Sequence, residues 1–148
     1  MLDHERLEVY ALARQLSREG AAILREIPPG RADLVDQLRR ASLSFPLNIA
    51  EGAGEFAPKE KARFYRIAKR SATECSAILD HMVDIGLVAE PRILEAKKLI
   101  HRIVGGTVRL ILSTESRPPN PLPLNLRLRL LHVPETRPPV STPAPSHP

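Results

Sequence analysis

Four cations, Lys59, Arg63, Arg66 and Arg70, recur at steps of four, three and four residues. That spacing lines side chains along one face of an α-helix. Lys69 stands beside Arg70, and further on Lys98, Arg102 and Arg109 align in the same way. Arg39 and Arg40 form a basic pair earlier in the chain. Rows of this kind can lie along a phosphate backbone, and each phosphate neutralised releases counterions. The chemistry expected of these residues is electrostatic binding of nucleic acid. An ordinary solvated face, with Glu60 and Glu74 close by, is the competing reading. The aromatics are Tyr10, Phe45, Phe56, Phe64 and Tyr65, which provides poorly for base stacking. Recognition would therefore be of backbone and shape, with little readout of base sequence.

Catalytic chemistry finds little support. A di-metal helical bundle needs convergent carboxylates with Glu-x-x-His pairs, and the chain contains no such pair. His81 beside Asp80 and Asp84, with His101 further on, is the nearest approach to a metal set, and solvated side chains explain it as well. No phosphate-cradling glycine loop and no Ser-His-Asp pattern can be argued from spacing. The expectation is a protein that is not an enzyme and holds no metal or cofactor. The lone Cys75 excludes an internal disulfide framework. It falls on an apolar stripe, where a buried thiol is expected.

The elements that position these residues read as helices. The 148 residues suffice for one domain, with 26% charged, 43% hydrophobic and only 3% aromatic residues. A first helix is expected over about 4–26, capped by Asp3, with Leu7, Tyr10, Leu16, Ile23 and Ile27 inward. Pro28-Pro29-Gly30 ends it. A second starts after an Asp33 cap and runs to a glycine stop at 52–54. Its stripe of Leu34, Leu38, Ala41, Phe45 and Ile49 continues past Pro46, so one kinked helix is expected. Pro46 deprives the Ser42 carbonyl of its donor, and Asn48, Ser44 or a water is expected to satisfy the freed groups. Asn48 and Glu51 are read as completing hydrogen bonds at the kink or at a subunit contact.

A third helix starts at Pro58 and runs to 85, burying Phe64, Ile67, Ala68, Ser71, Cys75, Ile78, Leu79 and Met82. The fourth spans about 91–113, with Ile93, Ala96, Ile100, Ile103, Val104, Thr107, Leu110 and Ile111 inward. Gly105-Gly106 in its middle costs roughly 1 kcal/mol per glycine, which close helix contact would offset. Long amphipathic helices with short connections pack as an antiparallel up-down four-helix bundle. The fold class expected is all-α, with the bundle over 1–116.

Residues 117–148 differ in kind, holding ten of the fifteen prolines. Such a tail reads as disordered and solvated. The apolar-basic alternation Leu126-Arg127-Leu128-Arg129-Leu130 is the one segment in it that could add to a partner as an edge strand. The net charge is +5, of which the tail carries +3 and the body +2. No apolar run approaches the roughly 20 residues of a membrane span, and no signal peptide is visible, so a cytoplasmic location is expected.

Three motifs carry a family resemblance: Gln37-Leu38-Arg39-Arg40-Ala41, then Ser44-x-Pro46-x-Asn48-Ile49-Ala50-Glu51-Gly52, then Phe64-Tyr65-Arg66-Ile67-Ala68-Lys69-Arg70-Ser71-Ala72-Thr73-Glu74. In order and spacing they resemble the bacterial four-helix-bundle proteins encoded within intervening sequences of large-subunit ribosomal RNA genes. The accessory protein of diversity-generating retroelements is similar to that family. The resemblance covers about 5–113. It implies a bundle that assembles into a ring, commonly a pentamer, and binds nucleic acid, RNA above all. It also implies a protein partner such as a reverse transcriptase, which makes a protein-interaction scaffold the alternative function. Ala57-Pro58-Lys59-Glu60 replaces the serine-rich start usual for the third helix, and the proline-rich tail is not a family feature.

Overall fold

The computed structural model describes residues 1–116, and the expectations for the tail lie outside the described residues. A 3-10 turn, Asp3–Arg6, precedes four helices: α1 (Glu8–Glu26), α2 (Ala32–Gly54), α3 (Pro58–Asp84) and α4 (Glu90–Glu115). Each helix packs on two others, α1 on α2 and α4, and α3 on α2 and α4, while no Cα atoms of the diagonal pairs come within 8 Å. That is the arrangement of an up-down four-helix bundle. Its interior is built from Leu16, Ile23, Leu38, Phe45, Ile49, Leu79, Met82, Leu99 and Ile103, all essentially removed from solvent.

The helix starts differ from those the sequence suggests. Asp3 caps nothing; the free amide of Leu2 is taken at 2.6 Å by the Glu5 carboxylate instead. Leu7 is extended, so α1 begins only at Glu8. Arg31, not Asp33, is the residue flanking α2. Asp33 falls inside the first turn, where its charge meets the positive end of the helix dipole. Pro58 opens α3 as expected. Lys61 Nζ donates to the Ala53 carbonyl at 3.2 Å, closing the end of α2 with a cation.

The α2 helix runs through the buried Pro46 without a break. Its missing amide leaves the Ser42 carbonyl without a partner in its own helix. The donor comes from neither Asn48 nor Ser44. It is the hydroxyl of Ser17 on α1, 3.0 Å away, which shares its proton with Ala13 O at 3.1 Å. Asn48 instead donates to the Ser44 carbonyl at 2.8 Å, and Ser44 Oγ meets Ser71 Oγ of α3 at 2.9 Å. The proline region is thus tied to both neighbouring helices. Glu51 is exposed and forms no hydrogen bond among the described residues, so it takes no part in this network.

The glycine stop expected at 52–54 falls at Gly54, and Gly52 serves another purpose. It is a buried contact: a Cβ built there would lie 2.7 and 2.8 Å from the Tyr65 ring and 3.2 Å from Phe64 Cβ. The room left by Gly52 admits Tyr65, which is 3% exposed, and turns Phe64 and Ile67 to half-buried positions at the edge. Ala62, Ala72 and Leu99 are core residues beyond the expected set, whereas Leu7, Tyr10, Ile27, Val104 and Leu110 are only half-buried.

The α3–α4 turn follows backbone rules. Gly86 has φ +69°, its amide bonds to Val83 O, and that of Leu87 bonds to Met82 O. This paired closure satisfies the last carbonyls of α3. Cys75 is buried, and burial pushes its thiol up to about 12.

Gly52→Ala should lower stability by about 1–3 kcal/mol through overpacking against Tyr65. Gly54→Ala, where nothing lies within 4 Å of the added atom, should leave stability unchanged or raise it. Urea unfolding followed by circular dichroism compares the two.

Candidate nucleic-acid interface

All ten cations singled out by spacing are exposed. The bundle distributes them over three faces and neutralises half of them. On the outer face of α3, Arg63 pairs with Glu60 at 2.7 Å, and its guanidinium lies 4.6 Å from the centre of the Phe64 ring. Arg66 reaches across to Glu115 at the end of α4. Lys59, Lys69 and Arg70 have no carboxylate partner among the described residues.

On α4, Lys98 lies 3.8 Å from Glu95, Arg102 bonds Glu8 of α1 at 3.0 Å, and Arg109 is free of carboxylates among the described residues. On α2, Arg39 bonds Asp36 at 3.0 Å, whereas Arg40 has no such partner there. These pairs sit at half-exposed or exposed side chains, where an ion pair contributes about 0–1 kcal/mol. A phosphate arriving at such a pair exchanges one weak contact for another, so the paired arginines remain available to an anion.

The cations of α1 stand outside the expected set. Arg14, Arg18 and Arg25 share one exposed stripe, and Arg31 stands at the α1–α2 turn. All four are without carboxylate partners among the described residues. The signal was present, since residues 14, 18 and 25 also fall on one helical face. What the sequence does not show is the fate of the neighbouring acids. Arg92 of α4 gathers both Glu19 and Glu26 to the opposite flank of α1. Its hydrogen bonds hold the Glu26 carboxyl below its ordinary range and raise the Arg92 guanidinium further.

The structural motif residues Pro46, Asn48 and Gly52 face helix neighbours and not an open cleft. Among the described residues no group of three or more His, Cys, Asp or Glu side chains is placed to hold a metal. Asp80, from the triplet around His81, is engaged by Lys97 at 2.6 Å. No helix among the described residues is long and apolar enough to cross a membrane.

Fold and surface together define a four-helix bundle with cations exposed on its outer faces. The model of the 23S rRNA-intervening sequence protein family matches residues 5–106, and the chain belongs to that family. A search of curated proteins finds no match.

The Arg92 pair gives a pH dependence of defined sign. Because the Glu26 carboxyl is held low in the folded state, its contribution is present above about pH 4.5 and lost as pH falls below that value. Arg92→Gln should therefore be less stable than wild type near neutrality, and the gap should close on acidification. Thermal unfolding across an acid titration measures it.

Proposed function

We propose that this protein is a non-catalytic, oligomeric four-helix bundle that binds structured nucleic acid, RNA foremost, through its basic helix faces. The observation that carries this reading is the set of exposed cations left without a carboxylate partner among the described residues. Lys59, Lys69 and Arg70 on α3 are its example. A Lys or Arg held in no ion pair is free to neutralise a phosphate, and its release of counterions favours binding. Membership of a family named for ribosomal RNA intervening sequences supports RNA as the ligand. The scarcity of aromatic side chains supports recognition of backbone and shape.

The ring assembly, with a pentamer as its expected size, draws support from α4. Gly106 is explained within the subunit, since an added Cβ would come 3.3 Å from Val9. Gly105 is not: nothing lies within 4 Å of its added Cβ, and it borders a groove lined by Leu7, Leu12 and Leu110. A helical glycine costs about 1 kcal/mol against alanine. A neighbouring subunit approaching this groove supplies the missing contact. A protein partner such as a reverse transcriptase is the alternative ligand of the assembled surface, favoured by Phe56, which stands 97% exposed on the α2–α3 turn.

Affinity for a folded RNA should fall steeply with salt. Three phosphate contacts on the α3 face alone cost roughly 40-fold between about 50 and 200 mM salt. Fluorescence anisotropy measures this, and salt-insensitive binding would remove the reading. Gly105→Glu should leave the subunit folded, because the site is open, and shift the particle to lower mass in light scattering.

A further inference from the structure

The first 58 residues contain no lysine at all, and every cation on the α1–α2 hairpin is an arginine. From α3 onward the described residues mix the two, with Lys59, Lys61, Lys69, Lys97 and Lys98. Arginine differs from lysine in presenting a planar fork that takes two oxygens of one phosphate. The hairpin carries six: Arg14, Arg18, Arg25, Arg31, Arg39 and Arg40.

The fold brings Arg25, Arg31 and Arg39 around one groove. Arg25 of α1 and Arg39 of α2 line the same cleft, floored by Ala21, Leu24 and Leu43. The adjoining depression at the turn is lined by Arg31 and again by Arg39. Arg14 and Arg18 continue the α1 rim, about 16 and 10 Å from Arg25 at 1.5 Å per residue. Close approach of the helices keeps the cleft shallow, since a Cβ built on Gly20 would lie 3.8 Å from Ser42 Cβ.

Charge is segregated along the α1 rim. The hairpin has four acids between residues 10 and 43: Glu19, Glu26, Asp33 and Asp36. Arg92 draws the first two to the α4 side, and Asp36 is bound by Arg39. Asp33 sits at the N-terminal turn of α2. The α1 rim is left with arginines alone. No aromatic side chain lines the groove, so it has no platform for unstacked bases.

We propose that the arginine groove between α1 and α2 is the surface on which the sugar-phosphate backbone of a folded RNA lies. The α3 face is then the secondary contact. This inference rests on the functional reading above and assigns that reading to a particular site.

The test uses the full chain and a fluorescently labelled RNA hairpin, titrated over a range of salt. Two triple variants are compared with wild type: R14Q/R18Q/R25Q on the groove rim and K59Q/K69Q/R70Q on α3. All six positions are exposed and outside the core, so both proteins should keep wild-type circular dichroism. The groove variant should lose at least about tenfold in affinity at low salt. Its log–log salt slope should become shallower by about 2–3, one contact being worth roughly 0.7–0.9. The α3 variant should lose less. Wild-type affinity and slope in the groove variant, with loss confined to the α3 variant, overturns the groove and leaves RNA binding standing. No binding of the hairpin by the wild type at low salt overturns both.

Discussion

A buried helix that carries a proline must find a new donor for the carbonyl four residues back, and much of this bundle follows from how that is done. The Ser17 hydroxyl reaches from α1 to Ser42 O, which fixes the approach of α1 to α2 at one height. On the other flank of α2, Ser44 Oγ meets Ser71 Oγ of α3, and Asn48 donates to the Ser44 carbonyl within the helix. An unmet buried carbonyl costs about 1–3 kcal/mol, comparable to a fair part of a small domain's net stability. The polar contacts therefore set register, while the apolar stripe supplies most of the driving force. Gly52 then lets α3 close on α2 below the proline, with Tyr65 filling the space a side chain would have taken.

That register decides where the charges stand. With α1 held against α2 through Ser17, its other flank faces α4, and Glu19 and Glu26 come within reach of Arg92. The carboxylates are consumed on one side and the arginines are left on the other. Charge separation on the surface is thus a by-product of a packing decision in the interior. The net charge of the body, only +2, conceals it because opposite charges are counted without regard to place.

Much of this was legible in the chain. The stripe Leu34, Leu38, Ala41, Phe45 and Ile49 keeps its period through Pro46, and all five are buried. Cys75 and Thr107 likewise fall where their spacing puts them. The close contact at Gly52 is not legible, because glycine marks both helix ends and close contacts, and only the position of Tyr65 separates the two meanings. Asp33 was misread because a good capping residue also serves inside the first turn. Pairs such as Arg66 with Glu115, or Arg102 with Glu8, join residues 49 and 94 positions apart and leave no local trace. For the same reason, the sequence named cationic rows without showing which were already neutralised.

The lone thiol has a use that follows from its seat. Protonated at neutral pH and sealed between helices, Cys75 is shielded from alkylating reagents while the four rods stay together. Each transient separation of α3 from its neighbours exposes a single reactive sulfur. The rate at which it is capped thus reads out how often the interior breathes, with no label added and no residue replaced.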